Sequence, residues 1–366
     1  TGWGTMGDMK VGSEVLTPSG STAHVLGVSE RRVEPVYRVT LSDGSSTKAT
    51  GGHLWEVSYA SVDHSGDKPQ RVRKTQVLTT EELLKRGLHV KRGPGIREGK
   101  PTRYKFQIPS TSLEELLACP DLPIDPYVLG VLLGDGSIRK TTPTFSSADP
   151  DIVEEVASRL GEGLYVSPLK TAEGCVPVFS LRRRIKKMDS NPITESLREL
   201  GLHGLTGPCK FIPPAYMMGS YQQRLDLLRG LMDTDGTSSK GGCLLYTTSP
   251  QLAEDTVQLV RSLGGWAKSV KRTNTPGEHG VFSGGCGYIY YVTVVLSKDS
   301  PFHLSRKSEN WTPNVRRSRS IESIELVGEA EAQCILIDDP RHLYVTDDYI
   351  ATHNTNLSQL YAASCL

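Results

Sequence analysis

An internal repeat in the middle of the chain is the feature that most limits its fold. Residues 127–136 read YVLGVLLGDG and residues 227–236 read LLRGLMDTDG, so one pattern occurs twice. Each copy is followed by a strand-like run and then by a helical stretch that opens at a proline, Pro150 or Pro250. Such a duplication predicts two half-domains related by a pseudo-two-fold axis.

Polar residues ahead of these stretches give the predicted helix starts. The first helix of each copy is expected to begin after Asp125 or after Ser220, where Gln223 completes a capping box. Asp149 and Ser249 precede the two prolines and are expected to cap the second helix of each copy. The helices of the two copies are therefore predicted to start in matching ways.

The motif helices are predicted to bring two carboxylates together. Gly130, Gly134 and Gly230 leave helix faces without side chains, so that the helices can pack closely and place Asp135 beside Asp235. Two neighbouring carboxylates repel each other unless a cation lies between them, and Mg²⁺ binds a few carboxylates together with substrate phosphate. The pattern predicts a Mg²⁺ site for phosphodiester hydrolysis. The alternative interpretation is an ordinary Asp-Gly turn at the end of each helix.

The segments on both sides of the repeat have the alternation of β-strands. Residues 1–58 and the residues from Arg319 onward alternate apolar and polar positions between turn signals. The order β, then α/β, then β predicts one β domain interrupted by an insertion. The predicted boundaries are 1–106 for the first part with a linker, 113–305 for the insertion, 306–354 for the second part, and 355–366 for a separate C-terminal flank.

Composition favours a globular chain and excludes a membrane-spanning one. Hydrophobic residues make up 37% and charged residues 23%, and no apolar run reaches the roughly 20 residues of a spanning helix. The seven cysteines form no CxxC pair, which predicts a reducing, cytoplasmic environment. The net charge is +1, so only local basic clusters such as 182–187 and 316–319 hint at nucleic acid. A monomer is expected.

The end of the second β segment carries a self-cleavage pattern, in which His353, Asn354 and Thr355 follow one another. An asparagine can attack its own backbone carbonyl and form a succinimide, and a neighbouring histidine can polarise that carbonyl. The hydroxyl group of Thr355 can act as a nucleophile. The pattern predicts breakage of the chain after Asn354. By itself the tripeptide is also compatible with a surface turn.

Residues 118–305 resemble the LAGLIDADG homing endonucleases, through the two motifs and the segment KFIPP at 210–214. The resemblance implies an α+β fold with two pseudo-symmetric αββαββα-like halves, double-stranded DNA as substrate, and catalytic Mg²⁺ bound by Asp135 and Asp235. The first motif lacks the earlier acid that Asp233 supplies in the second. A catalytic lysine is expected in this family, and Lys210 is the candidate.

Residues 1–58 and 306–355 resemble inteins, the self-splicing segments. The resemblance implies an all-β Hint (hedgehog/intein) fold, split by the endonuclease, with host-protein flanks attached covalently as its partners. Thr50 and His53 match the Thr-x-x-His motif, in which the histidine destabilises the peptide bond at the upstream junction.

The chain lacks the usual first cysteine or serine of inteins and is similar to the class 3 members, which use a Trp-Cys-Thr triad. Trp55, Cys334 and Thr352 occupy the matching positions. The resemblance implies that Cys334 takes up the N-terminal flank as a thioester and passes it to Thr355. Asn354 then cyclises and releases the intein.

One departure and three alternatives accompany these expectations. Class 3 members carry a short segment before the Gly-Trp pair that residues 2–3 match, so the sequence is expected to be a fragment that can cleave but not join flanks. The expected host is a replicative DNA helicase or a phage terminase. The alternatives are an intein with an inactive endonuclease, a DNA-binding regulator on the LAGLIDADG scaffold, and a Hedgehog-like autoprocessing domain, which needs an N-terminal cysteine and no Asn-Thr end.

Overall fold

A computed structural model of the chain describes residues 3–63, 69–90, 103–116, 119, 122–184, 190–238, 242–273, 287–314 and 319–354. The chain divides into two compact units. The flanking unit comprises Thr1–Leu113 and Arg317–Leu366, and the middle unit comprises Glu114–Arg316. Sequence patterns place the second boundary at residue 305, whereas residues 306–316 lie with the middle unit, because Lys307 is bonded to backbone carbonyls there.

The described residues in the first part of the flanking unit form six strands and one short α-helix, after a single 3-10 turn at Met6–Asp8. The helix begins at a capping box between Thr79 and Glu82, and Gly87, with a φ of 71°, follows its last residue. The elements are β1 (Glu14–Leu16), β2 (Thr22–Val28), β3 (Arg32–Leu41), β4 (Ser46–Thr50), β5 (Leu54–Asp63), β6 (Gln70–Thr79) and α1 (Thr80–Arg86).

The first half of the middle unit opens with the apolar helix of the first motif. The Asp125 side chain accepts hydrogen bonds from the backbone N–H groups of Tyr127 and Val128, which confirms the predicted start. The elements are α2 (Pro126–Leu133), β7 (Gly136–Ser137), β8 (Thr144–Ser146), α3 (Pro150–Arg159), β9 (Leu164–Pro168), β10 (Val178–Arg183) and α4 (Pro192–Glu199).

The second half follows the same order after one additional short helix. The predicted capping box of Ser220 and Gln223 is confirmed, and Ser249 caps its helix as expected. Asp149 was expected to do likewise but makes no capping bond, because its carboxylate binds Arg306. The elements are α5 (Pro214–Met217), α6 (Tyr221–Asp235), β11 (Gly236–Thr237), β12 (Cys243–Thr247), α7 (Pro250–Ser262), β13 (Trp266–Thr273), β14 (Tyr288–Val295) and α8 (Ser305–Ser308).

The two halves of the middle unit share their topology as well as their element order. Each half has a four-stranded antiparallel sheet, ordered β7-β8-β10-β9 in the first and β11-β12-β14-β13 in the second. Both halves contribute to one apolar core that includes α2 and α6. No helix in the described part of the chain has the length and apolar character needed to cross a membrane.

Strands from the end of the chain complete the flanking unit. They are β15 (Ile321–Ala332), β16 (Ile335–Ile337), β17 (Leu343–Thr346) and β18 (Ile350–His353). Strand β16 pairs with β2, β15 pairs with β3, and β18 pairs with β5, always antiparallel. The three sheets are ordered β1-β2-β16, β15-β3-β4 and β17-β18-β5-β6. Each sheet of this unit therefore combines strands from before and after the middle unit.

Candidate functional sites

Two glycines allow α2 and α6 to cross at backbone contact. A Cβ atom added to Gly130 would lie 2.4 Å from the carbonyl oxygen of Leu227, and one added to Gly230 would lie 2.3 Å from that of Tyr127. Distances this short exclude any side chain. The close packing that the sequence suggested is therefore present in the structure.

The crossing brings together the ends of both helices, where the two motif acids lie. Asp235 is the last residue of α6, and Asp135 follows α2 after Gly134. A Cβ atom on Gly134 would lie 3.3 Å from Oδ2 of Asp235, so that carboxylate reaches the residue next to Asp135. Asp135 is exposed and Asp235 is half-buried. The pair therefore lies at an accessible place on the surface of the middle unit.

Both motif carboxylates hold protons more tightly than usual. Burial raises the pKa of Asp235, and the negative charge of Asp135 raises it further, while Lys210 and Lys307 act in the opposite direction. The pKa of Asp135 is also raised, because the surrounding protein partly desolvates its carboxylate although the residue reaches the surface. Carboxylates in this situation gain from a cation placed between them.

Lys210 and Lys307 occupy equivalent positions at the ends of the two motif helices. The ammonium group of Lys210 donates to the carbonyl oxygens of Leu132, Leu133, Gly134 and Gly136, over 2.8–3.0 Å. That of Lys307 donates to the oxygens of Met232, Asp233 and Gly236, over 2.6–2.9 Å. Both side chains are buried and compensate the negative ends of the helix dipoles.

Burial lowers the pKa of Lys210 to about 8, even though both motif acids favour its charged form. Burial likewise lowers the pKa of Lys307. The sequence suggested Lys210 as a candidate and missed Lys307. The signal for Lys307 was available, because it follows the second motif at nearly the same distance as Lys210 follows the first.

Asp233, the additional acid of the second motif, points away from the paired carboxylates. It accepts hydrogen bonds from the hydroxyl group of Tyr127, at 3.0 Å, and from the backbone N–H groups of His303 and Leu304. These contacts fix the segment that leads into α8 and Lys307. Asp233 therefore supports the position of Lys307, and the first half has Leu133 in its place.

The donor set at the paired acids suits a hard divalent cation. Two carboxylates with raised pKa values lie near enough for the charge of Asp135 to act on Asp235, and Mg²⁺ commonly takes one or two protein carboxylates, with water and phosphate oxygens completing its shell. Across the described ranges, no group of three or more His, Cys, Asp or Glu side chains is arranged to hold a metal.

The sheets of the middle unit present basic and aromatic side chains. Lys271 lies 3.9 Å from the ring centre of Tyr288, and Arg272 lies 4.6 Å from that of Tyr291. In the first half, Arg184 lies above Tyr165. Such surfaces can contact phosphates. Of the predicted basic clusters, residues 185–187 and 316–318 lie outside the described part of the chain.

The flanking unit brings four of the predicted splicing residues together. Nε2 of His53 is hydrogen-bonded to the hydroxyl group of Thr352, and the rings of His53 and Trp55 are 5.1 Å apart, edge to face. The indole N–H of Trp55 donates to Thr80 over 3.0 Å. Thr50 ends β4, and its carbonyl oxygen accepts the backbone N–H of His53, which closes the turn. Burial lowers the pKa of His53 to about 4, so the ring is neutral at pH 7.

His353 contacts the carbonyl group that the predicted cleavage requires. Its Nδ1 atom lies 2.6 Å from the carbonyl oxygen of Asn354, and since that oxygen can only accept, the ring donates. Asn354 is buried, and neither its Oδ1 nor its Nδ2 atom has a hydrogen-bond partner within the described ranges. An unpartnered buried amide is costly, and such groups occur where chemistry uses them. Thr355, the expected nucleophile, lies outside the described residues.

His342 is a site residue that the sequence did not reveal. Its carbonyl oxygen accepts the backbone N–H of Asn354 at 2.8 Å, and its ring centre lies 5.7 Å from that of His353. His342 has a left-handed backbone, with φ of 57°, and a buried Nδ1 atom without a partner in the described structure. The signal was the hairpin register, which sets Leu343 opposite His353 and hence His342 near Asn354.

Cys334 lies at the start of β16 and is partly exposed. Its backbone N–H donates to the hydroxyl group of Ser29 at 2.8 Å. Burial raises the pKa of Tyr344, and a negative charge on the Cys334 sulfur would raise it further; in β17, Tyr344 lies directly opposite Thr352. Among the described contacts, Cys334 makes no hydrogen bond to His53, Thr352 or Asn354.

Comparison with known proteins gives one curated relative and several solved structures. The chain is similar to the replicative DNA helicase DnaB of Mycobacterium intracellulare, with 28% identity over all of this chain and 58% of that protein. The chain thus spans 58% of the length of the relative it matches. No protein-family model matches the chain.

Solved structures of the homing endonuclease I-DmoI are among those similar to this chain. A structure of its mesophilic variants aligns with 48% of this chain and 89% of that one, at 10% identity and a TM-score of 0.31. The complex of I-DmoI with DNA and Ca covers 48% of this chain and 84% of that one, at 9% identity and a TM-score of 0.31. The complex with DNA and Mn covers 47% and 89%, at 12% identity and a TM-score of 0.30.

Proposed function

We propose that this chain is an intein, which excises itself from a host protein, and that its middle unit is a homing endonuclease. The observation that carries the proposal is the contact between the His353 ring and the carbonyl oxygen of Asn354, beside a buried amide with no described partner. The DNA-cleaving activity is supported separately by the meeting of Asp135 and Asp235 at the ends of two packed helices.

Asn354 breaks the chain after itself in this proposal. Its Nδ2 atom attacks its own carbonyl carbon, the bond to the nitrogen of Thr355 breaks, and that nitrogen leaves as an amine after taking up a proton. A succinimide ring remains at Asn354. His353 donates to the carbonyl oxygen, where negative charge develops during the attack, and so lowers the barrier.

Cys334 supplies the nucleophile for the upstream junction. Its thiolate attacks the carbonyl carbon there, the C–N bond breaks, the released amine takes a proton, and the N-terminal flank remains as a thioester. The hydroxyl oxygen of Thr355 then attacks the thioester carbon, and the C–S bond breaks to regenerate Cys334. After Asn354 has cyclised, the freed amine of Thr355 attacks the ester carbon and the ester C–O bond breaks. The proton lost by the amine restores the Thr355 hydroxyl group, and a peptide bond joins the flanks.

The contacts of His53 suit the upstream step. The ring is neutral at pH 7, is fixed by Thr352 and packs against Trp55. A neutral imidazole can donate a hydrogen bond to the scissile amide through one ring nitrogen while the other nitrogen is held in place. This role for His53 agrees with the Thr-x-x-His resemblance.

The endonuclease proposal gives each half of the middle unit one acid and one lysine. Asp135 and Asp235 would hold Mg²⁺, which when bound supplies Lewis acidity at the scissile phosphate. Lys210 and Lys307 donate hydrogen bonds to backbone carbonyl oxygens next to these acids and so fix the ends of the helices. The basic and aromatic side chains of the sheets would contact the DNA backbone.

The proposed host is a replicative DNA helicase. The curated relative bears that name and matches this chain from end to end over 58% of its own length. We infer that the relative carries a comparable insertion and that the residues from 355 onward continue the host protein.

A fusion of residues 1–366 to a C-terminal reporter tests the cleavage chemistry. We expect release of a reporter that begins at Thr355, no release from Asn354→Ala, and wild-type release from Asn310→Ala, an exposed asparagine of the middle unit. Release that persists in Asn354→Ala contradicts the proposal. With an upstream intein segment restored between two tags, Cys334→Ala should abolish joining of the tags.

Plasmid DNA that joins the host coding sequences on either side of the insertion tests the nuclease. We expect a double-strand cut in Mg²⁺ that is lost in Asp235→Asn and retained in Glu254→Gln, a variant of an exposed acid on α7. Binding without cutting by the wild-type protein favours the DNA-binding regulator or an inactive endonuclease instead.

A further inference from the structure

A buried ion pair joins the two sequence segments of the flanking unit. The Nε atom of Arg319 lies 3.0 Å from Oδ2 of Asp43, and the side chains are 7% and 0% exposed. Asp43 belongs to the turn between β3 and β4, whereas Arg319 is the first described residue after the middle unit. A buried ion pair contributes little net stability, because desolvation offsets most of the attraction. Its presence therefore calls for another explanation.

The two Nη atoms of Arg319 bind a second turn, formed by residues 347–349. Its Nη1 atom donates to the carbonyl oxygen of Tyr349 at 2.6 Å, and its Nη2 atom donates to that of Asp348 at 2.8 Å. Nη2 also donates to the hydroxyl group of Ser45, at 2.7 Å. The planar fork of an arginine can make these bonds together, and a lysine cannot.

The turn so held has a strained backbone. Asp348 and Tyr349 both have left-handed φ angles, of 57° and 55°, which are unfavourable for residues with a side chain. Side-chain contacts with β4 also fix the turn: Thr47 donates to Asp347 at 3.0 Å, and the N–H of Ser46 donates to Asp348 at 3.1 Å. Strain of this kind persists only where the surroundings impose it, and it is concentrated at functional sites.

The strained turn leads directly into the strand that ends at Asn354. Ile350 begins β18 immediately after Tyr349, and four residues later the chain reaches the scissile bond. The structure gives β18 four pairs with β17 but one with β5, between His353 and Leu54. The direction in which β18 leaves the turn therefore decides where His353 and Asn354 lie.

We propose that Arg319 and Asp43 are positioning residues for cleavage after Asn354. They hold the turn of residues 347–349 in its strained form. That turn sets the direction of β18, so that the Asn354 carbonyl oxygen lies beside Nδ1 of His353 and the backbone N–H of Asn354 bonds to the His342 carbonyl oxygen. This inference rests on the proposed splicing function. It assigns the buried ion pair to the geometry of the reaction rather than to the stability of the fold.

Three variants in the reporter fusion test the proposal. Arg319→Lys keeps the positive charge but loses the fork, and Asp43→Asn removes the charge that orients Arg319. Val39→Ala, in the core of the same unit, serves as the control that lowers stability alone. Release of the reporter is measured at a temperature well below the melting point of every variant. We expect a loss of rate of at least tenfold in the first two variants and less than twofold in the control.

A second readout separates positioning from the cleavage activity itself. In an Asn354→Ala background, NMR spectra of the histidine rings report their surroundings without any reaction. We expect Arg319→Lys and Asp43→Asn to shift the His353 ring resonances, and Val39→Ala to leave them unchanged. Unshifted resonances, or rates no lower than the control, overturn the inference. A wild-type fusion that never cleaves would contradict the proposed function instead, while the NMR comparison would still decide the role of Arg319.

Discussion

The rings of His342 and His353 lie 5.7 Å apart at the open end of the hairpin formed by β17 and β18. The same pair of strands carries the hydrogen bond from the N–H of Asn354 to the carbonyl oxygen of His342. His342 therefore contacts both Asn354, where the chain is proposed to break, and the ring of His353. It is placed to hold Asn354 while His353 polarises the carbonyl group.

Replacement of His342 by alanine should slow release of the reporter by about 100-fold, because it removes the ring beside His353 and leaves the donor to the Asn354 carbonyl less firmly positioned. The rate is measured by gel densitometry of the C-terminal fusion. The control is His24→Ala, a variant of an exposed histidine on β2 that contacts Glu14 and Asp338 at the surface. If His24→Ala lost as much rate as His342→Ala, the loss would report lower stability of the unit rather than displacement of Asn354.

The flanking unit should lose stability between about pH 6.5 and pH 4. Burial lowers the pKa of His53 from 6.5 to about 4, so the unfolded chain binds a proton in this range that the folded chain excludes. The stabilisation is present in full above pH 6.5 and is lost as the pH falls towards 4. It amounts to as much as about 3 kcal/mol.

Urea unfolding of an Asn354→Ala chain, followed from pH 4 to pH 7, measures this effect without interference from cleavage. In His53→Gln the slope should be smaller, because glutamine does not titrate. An unchanged slope in that variant would assign the pH dependence to other groups, such as His353, whose pKa is also lowered by burial.

The crossing of α2 and α6 should not tolerate a methyl group. In Gly130→Ala the new Cβ atom would lie 2.4 Å from a backbone carbonyl oxygen, and neither helix can yield without separating from the other. We expect a loss of about 3 kcal/mol in the free energy of unfolding, together with loss of DNA cleavage. Gly161→Ala is the control, because a Cβ there meets no atom within 4 Å. Equal melting temperatures for the two variants would refute the close packing.

Lys307→Met should impair both the fold and the cleavage of DNA. It leaves the carbonyl groups of Met232, Asp233 and Gly236 without their buried donor, which costs about 3 kcal/mol. Loss of a fixed positive charge beside the paired acids should lower the cleavage rate about 100-fold. Lys298→Met, at an exposed surface ion pair with Glu114, should change neither quantity appreciably. Full nuclease activity in Lys307→Met would exclude Lys307 from the site.

Local signals in the sequence predicted the helix starts of the middle unit well. The capping box of Ser220 and Gln223 and the cap at Asp125 depend only on residues within one turn, and both are present. Asp149 was the exception, since Arg306, far along the chain, competes for its carboxylate. Capping can be read from neighbours in sequence, but a distant ion pair cannot.

The site residues that the sequence did not reveal owe their positions to residues far away in the sequence. Lys307 acquires its role only when the end of the second half folds back onto α6, and Asp233 only when it meets Tyr127 of the other motif helix. His342 depends on a left-handed backbone that its sequence does not favour. The pairing of Asp135 and Asp235, in contrast, followed from the repeat and its glycines.

The sharing of every flanking sheet between the two ends of the chain has a consequence for synthesis on the ribosome. Strands β2, β3 and β5 must wait for partners that are translated after the whole middle unit. The arrangement of His53, His342 and His353 around Asn354 therefore does not exist in the nascent chain until the last strand has left the exit tunnel. In the proposed mechanism, the order of translation would thus delay breakage of the bond after Asn354 until these residues have all been made.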